Sequence, residues 1–331
     1  MSQKSSLPQA AKSVSLALTP DIPEALNNRG FILNNRAKAL CEQDRIAEGF
    51  VDFTRSADII YNIATAPPPF TGPALPHKAS HDRDQREYLA AQASGKLPED
   101  GRLHFEGGAR LMTPAINHDL PASRIAEQWQ TAAPKTLVID NFLTETALAQ
   151  LRRFCWGSTM WRVVYKDGYL GAFPEQGFAC PLLAQIAEEL RDFFPPIFQG
   201  HALRYLWAFK YDSQLSGTIV HADEAAVNVN FWITPDEANL DPESGGLVIW
   251  DKAAPPDWNF LEYNGEAAPI REFLARSGAK SITVPYRSNR AVIFDSDLFH
   301  QTDKPVFKRG YLNRRINITL LYGRRVTSVQ K

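Results

Sequence analysis

The heptapeptide Arg314-Arg315-Ile316-Asn317-Ile318-Thr319-Leu320 constrains the fold of this chain more than any other stretch. Its period of two is that of a β-strand, whose successive side chains leave opposite faces. Ile316, Ile318 and Leu320 share one face with Arg314, while Arg315, Asn317 and Thr319 share the other. A strand polar along one whole side is either a solvated sheet edge or the wall of a barrel with a polar interior. In a barrel interior, a guanidinium can fork a carboxylate with paired hydrogen bonds, and a neighbouring amide or hydroxyl can assist. Upstream, Val227, Val229, Phe231 and Ile233 interleave with Asn228, Asn230 and Trp232, which suits a barrel strand with a polar lumen.

Between these strands and before them lie residues with metal-ligand character. In Ile219-Val220-His221-Ala222-Asp223, strand alternation sends His221 and Asp223 to one side and Ala222 to the other. Alone, such a triplet is ordinary polar rim. Among the chain's 7 His, however, only His221 is followed two positions later by Asp. His300, after the apolar run Ala291-Val292-Ile293-Phe294, would complete a facial set of two His and one carboxylate. Such a set leaves three coordination positions open. A ferrous ion could then take a bidentate co-substrate and dioxygen, whereas a closed four-ligand site is usually structural.

His221-x-Asp223, His300 and then Arg315-x-Asn317 resemble the signature of the 2-oxoglutarate- and Fe(II)-dependent oxygenases, in particular their prolyl-hydroxylase-like branch. Leu137-Val138-Ile139-Asp140-Asn141-Phe142-Leu143 is similar to the start of that domain. Tyr211 precedes His221 by ten residues, and Ser244-Gly245-Gly246-Leu247-Val248-Ile249-Trp250 resembles its central Gly-rich strand. The likeness spans about residues 135 to 325. It implies an α+β chain whose catalytic domain is a double-stranded β-helix, or jelly roll, with flanking helices. It further implies Fe(II) held by His221, Asp223 and His300, and 2-oxoglutarate bound by Arg315 with Asn317 and Tyr211. Dioxygen would be the second co-substrate, and the reaction a hydroxylation coupled to conversion of 2-oxoglutarate to succinate. Arg-x-Asn stands where the family more often has Arg-x-Ser, and Arg314 is a rival for the anchor. An Asp at 223, in place of a small residue that leaves room for halide, favours hydroxylation over halogenation.

Length and charge narrow the setting. A chain of 331 residues with 44% hydrophobic content buries a sizeable core in one large or two smaller domains. A net charge of -1 provides no field for nucleic acid or anionic lipid. Cys41, Cys155 and Cys180 are too few and too scattered for a disulfide framework or zinc ribbon, which fits a reducing compartment. Val14-Ser15-Leu16-Ala17-Leu18 is too short for a signal-peptide core, and no stretch approaches a membrane span, so a cytoplasmic location is expected.

Three regions follow. Residues 1–66 form a helical region entered near Thr19-Pro20-Asp21. Leu26, Gly30, Leu33, Ala37 and Leu40 recur at helical spacing, as do Ile46, Phe50, Phe53, Ala57 and Ile60 beyond a turn at Gln43-Asp44. This hairpin resembles one tetratricopeptide unit, and a single unit is expected to pack against the catalytic domain. Residues 67–134 are a Pro-rich linker and helical connector. Pro67 to Pro76 should run extended, and His81 through Ala93 reads as a helix stopped by Gly95 and Pro98, with His81 on a solvated or ion-paired surface.

Residues 135–331 are the oxygenase domain. Its helices should begin near Thr144 and at Pro181 and buttress the outer sheet. Tyr205, Trp207, Phe209 and Tyr211 share a strand face, an aromatic stripe expected to be core except for Tyr211. A long loop at 252–278 with Trp258, Phe260 and Tyr263 could form a lid over substrate or pack on the sheet. The rival readings are another metal-dependent β-barrel enzyme, such as a hydrolase or isomerase, and a helical interaction protein with an inactive barrel. The substrate, a peptide side chain or a small molecule, is not legible, and neither is the oligomeric state.

Overall fold

The computed structural model describes residues 23–63, 75–92, 107–212 and 217–326. Among them, helices α1 (Pro23–Glu42), α2 (Ile46–Ile63), α3 (Pro76–Gln92) and α4 (Ala122–Thr131) precede strand β1 (Thr136–Ile139). Helix α5 (Glu145–Gly157), strands β2 (Val163–Tyr165) and β3 (Tyr169–Ala172), helices α6 (Pro181–Phe193) and α7 (Pro195–Phe198), and strand β4 (Leu203–Tyr211) follow. The remaining elements are β5 (Val227–Trp232), β6 (Leu247–Ala253), α8 (Phe260–Asn264), α9 (Ala267–Arg276), β7 (Ser281–Val284), β8 (Ala291–Asp295), β9 (Leu298–Thr302) and β10 (Ile316–Tyr322).

All strand pairs are antiparallel, in a large sheet ordered β1-β8-β5-β10-β4-β3-β2 and a small one ordered β7-β6-β9. A bridge between His221 and His300 extends the small sheet at β9. From β5 the chain passes to β6 and β7 in the small sheet, to β8 in the large, to β9 in the small and to β10 in the large. This alternation between two facing sheets is a double-stranded β-helix.

The period-two patterns explain why the sheets face each other around a polar lumen. Ile316, Ile318 and Leu320 of β10, Val227, Val229 and Phe231 of β5, and Ala291 and Ile293 of β8 join one core cluster with α5 and α6. The opposite residues of β8, Val292 and Phe294, join Trp232, Leu247, Ile249 and Val284 between the sheets. β10 is central, paired to β5 on one side and β4 on the other, so its polar face is not a solvated edge. That face looks into the barrel, with Asn317 opposite Trp232 and Thr319 opposite Asn230.

The helices begin where the sequence places them. Thr144 caps α5 by accepting from the Ala147 amide, and Pro181 occupies the first turn of α6. The α1–α2 hairpin turns at Asp44, whose φ of 63° is left-handed. A Cβ on Gly30 would lie 2.7 Å from Ile60 Cγ1, so glycine lets the two helices approach closely. Ala37, Cys41, Ile46, Phe50 and Phe53 extend the core cluster that contains α6, and the hairpin also touches β4. The helix entry at Thr19, the stop at Gly95 and Pro98, and the Pro-rich run up to Ala74 lie outside the described residues; Pro76 itself opens α3.

Two expectations are corrected. His81 is fully buried under α3, because Lys210 and Tyr311 approach it from the barrel side and leave it no route to solvent. Residues 252–278 are not an irregular loop: α8 and α9 fold there and place Tyr263, Ile270 and Leu274 in a cluster with Val220 and Phe299, with Trp258 packed against it. Among the described residues, no helix is long and apolar enough to cross a membrane.

Candidate metal centre

His221 and His300 face each other because their backbones form a reciprocal bridge, His221 N to His300 O at 2.9 Å and His300 N to His221 O at 2.8 Å. Their rings lie 4.4 Å apart between centroids. Each Nδ1 sits beside a carbonyl two residues earlier, Ile219 O at 2.7 Å and Leu298 O at 2.9 Å. A carbonyl only accepts, so each Nδ1 carries the proton and each Nε2 presents a lone pair. Both Nε2 atoms point towards Asp223, at 3.8 Å from Oδ1 for His221 and 3.4 Å from Oδ2 for His300.

Three acceptors therefore converge, with all ligand atoms within 4.8 Å of one another. Acceptors facing acceptors repel unless a cation lies between them, so this donor set fits a metal ion. Burial, then the neighbouring His300, lowers the pKa of His221 despite Asp223, which keeps the imidazole neutral and able to ligate. Asn228, from the polar face of β5, donates to Asp223 Oδ2 at 2.8 Å and fixes the carboxylate.

Beside the triad runs a cleft lined by Tyr211, Thr302, Arg315, Asn317 and Thr319 together with His221, Asp223 and His300. Arg315 is 2% exposed. Its guanidinium donates to the carbonyls of Gly245 at 2.5 Å and Gly246 at 3.1 Å, and to Asn317 Oδ1 at 3.1 Å. It stacks over Tyr211 at 4.6 Å and Trp232 at 5.6 Å. These partners are all neutral, and no carboxylate among the described residues pairs with it. The nearest acidic influence on it is Asp303, which accepts from the Gly245 amide at 3.2 Å, so the buried guanidinium has no carboxylate in hydrogen-bond contact among the described residues and could take an anionic ligand.

Arg314, two residues before β10, turns to the opposite side, where Nη1 meets Asp212 at 2.9 Å and Nη2 meets Asp84 at 3.1 Å. Its charge is already satisfied between β4 and α3. Tyr211 donates to or accepts from Thr302 at 3.1 Å, so its hydroxyl ties β4 to β9 across the lumen. Thr302 was not singled out in the sequence, although it follows His300 by two residues on β9 and alternation alone puts it on the same face.

Outside the cleft opens a cavity of about 560 Å³ that reaches His221 and Asp223. Tyr205, Trp207 and Phe209 line it, so the aromatic stripe of β4 is a cavity wall and not core, which is instead filled by Leu206 and Ala208 from the other face. Tyr165, Tyr169 and Phe173 complete the wall. Nothing in their spacing announced this, because the β2–β3 hairpin reaches the cavity only by pairing with β4. Phe260, 51% exposed, stands at the rim, whereas Tyr263 packs inward.

No family model matches this sequence, and no curated protein matches it. Among solved structures, SnoN, a non-heme alpha ketoglutarate dependent epimerase from nogalamycin biosynthesis, is similar over 61% of this chain and 83% of its own, at 13% identity and a TM-score of 0.45. SnoK, a non-heme alpha ketoglutarate dependent carbocyclase from the same biosynthesis, is similar over 65% of this chain and 90% of its own, at 12% identity and a TM-score of 0.46. A Pseudomonas putida prolyl-4-hydroxylase is similar over 62% of this chain and 99% of its own, at 14% identity and a TM-score of 0.41. At such identities, function is read from the site and not from the likeness.

Proposed function

We propose that this protein is an Fe(II)- and 2-oxoglutarate-dependent oxygenase acting as a hydroxylase. The observation that carries this reading is Arg315, a buried cation with neutral partners, in the cleft that also holds His221, Asp223 and His300. A hydrolytic metal site needs no such guanidinium lacking a directly paired carboxylate, whereas a dicarboxylate co-substrate would supply that partner.

His221, Asp223 and His300 would hold the metal by Nε2, a carboxylate oxygen and Nε2. When bound, iron would supply dioxygen activation coupled to oxidative decarboxylation: one oxygen atom enters succinate, carbon dioxide leaves, and the other oxygen becomes the hydroxyl on a substrate C–H carbon. Arg315 binds the distal carboxylate, held in place by the Gly245 and Gly246 carbonyls and by stacking on Tyr211. Asn317 orients Arg315, and Thr319 bonds the Asn317 amide at 3.3 Å. Asn228 keeps Asp223 turned towards the two imidazoles. The helices before Lys135 buttress the jelly roll in this reading.

Calorimetric titration of 2-oxoglutarate into protein loaded with Ni(II) in place of Fe(II) tests the assignment. Binding should need both the metal and Arg315, and Fe(II)-loaded protein should release succinate. Binding of 2-oxoglutarate that is unaffected by Arg315→Ala would overturn it.

A further inference from the structure

The outer cavity differs in chemistry from the inner cleft. One side of its wall is a run of aromatic rings, and Thr218, Ile219, Asn264 and Leu321 line the rest. Tyr165 stacks on Tyr169 at 4.4 Å, Phe209 meets Tyr165 at 5.6 Å and Tyr169 at 5.0 Å, and Trp207 lies 6.1 Å from Phe209 and 6.3 Å from Phe173. The ionisable residues added to this wall, besides the metal ligands, are Asp167 on the β2–β3 turn and Glu224 just after Asp223. Among the described residues no Lys or Arg lines the cavity.

Neither carboxylate has an ion-pair partner among the described residues. Behind Glu224, Arg204, Arg324 and Arg325 line a second pocket with it. Arg204 and Arg324 share Glu42, each at 3.3 Å, Arg204 also lies over Tyr205 at 5.4 Å, and Arg325 Nε lies 2.6 Å from Asp297. Aromatic faces carry negative quadrupole density, and a cation within about 6 Å of a ring centroid is attracted to it. Rings this close together let one cation touch several faces at once, with two carboxylates adding long-range attraction.

We infer that the outer cavity takes an organic cation, an amine in protonated or quaternary form on a small apolar frame, and presents it to the metal centre. This rests on the proposed function, since it treats the inner cleft as the place of the anionic co-substrate. The two ends of the site then sort their ligands by sign. Arg315 draws the dicarboxylate inward, and Asp167 and Glu224 keep a second one out of the substrate position. The neutral or anionic frames that a purely apolar cavity would accept lose here to a cation of the same shape.

The test compares three ligands of equal shape on the full-length protein: choline, 3,3-dimethylbutanol and 3,3-dimethylbutanoate. Affinities are read by calorimetry and by Trp fluorescence, first metal-free and then with Ni(II) and 2-oxoglutarate. Choline should bind about tenfold or more tighter than the alcohol, with the acid weakest. The Asp167→Asn, Glu224→Gln double variant should shrink the choline-to-alcohol ratio while sparing the alcohol, and Trp207→Leu should shrink it too. Equal or tighter binding of the alcohol or the acid, no binding of choline, or a ratio unchanged in both variants overturns the inference. If 2-oxoglutarate fails to bind while the cation preference persists in metal-free protein, the proposed function falls and the cation site stands. If 2-oxoglutarate binds and the preference is absent, only the cation site falls.

Discussion

The side-chain amide of Asn228 donates to Oδ2 of Asp223 at 2.8 Å, and both groups are buried. One strand thus orients a candidate ligand that sits in the connection before it. Partners of metal ligands typically contribute about 10- to 100-fold in metal affinity. Asn228→Leu should lower Ni(II) affinity by that order, and Asn228→Ser, which keeps a donor, should recover part of it. Equal affinities for Leu, Ser and Asn at position 228 would show that Asp223 needs no such support.

Metal removal should destabilise the fold. A ligand that binds only the native state adds about 2.7 kcal/mol at 100 times its Kd. Thermal melts with excess Ni(II) should therefore run several degrees above melts with chelator. In His221→Ala, Asp223→Ala or His300→Ala the two curves should move together. A persistent metal-dependent shift in the double variant lacking His221 and Asp223 would place the ion elsewhere.

The neighbouring arginines should separate cleanly. If Arg315 is the anchor proposed above, Arg315→Ala should weaken 2-oxoglutarate binding by more than about tenfold, since truncating a buried charged pair costs about 2 to 5 kcal/mol. Arg314→Ala breaks the ties to Asp212 and Asp84 and should cost about 2 kcal/mol in urea unfolding, with little change in co-substrate affinity. The reverse pattern would mean that the two faces of β10 are misassigned.

His81 gives a pH dependence. It is 0% exposed, with Lys210 Nζ 3.3 Å from its Nε2. Burial, then the Lys210 charge, lowers its pKa well below 6.5. The unfolded chain then binds the proton that the native state refuses, so stability falls as pH drops below 6.5. One unit below that value the cost approaches about 1.4 kcal/mol, if the native ring stays neutral. His81→Gln should lose this part of the acid sensitivity between about pH 7.5 and 5.5 in urea titrations. An unchanged difference between the two pH values would show that His81 is not the sensitive group.

The helical hairpin should behave as part of the core. Phe50 is 2% exposed and belongs to the cluster that includes Leu183, Ile186 and Leu190 of α6. Phe50→Ala should cost about 3 to 5 kcal/mol, and the protein should unfold in one transition. A separate early transition for the hairpin would show that it is an independent unit.

Local chemistry, which depends only on residue order, was legible in the sequence. Period-two alternation assigned Arg315, Asn317 and Thr319 to one face and Arg314 to the other, because strand geometry allows no alternative. The same rule put His221 and Asp223 together, and the caps at Thr144 and Pro181 follow from backbone groups that every helix start must satisfy. The tertiary structure decided everything that depends on which surfaces meet. That β10 is central and its polar face a lumen follows from pairing with β4 and β5, and the sequence left that face equally compatible with water. His81 reads as a surface residue on its own helix and is buried only because Lys210 and Tyr311 approach it from elements more than a hundred residues away. The aromatic stripe of β4 could fill a core or line a cavity by composition alone. It lines a cavity because Leu206 and Ala208 face the helices, and the β2–β3 hairpin, brought in by sheet pairing, supplies the second half of the wall.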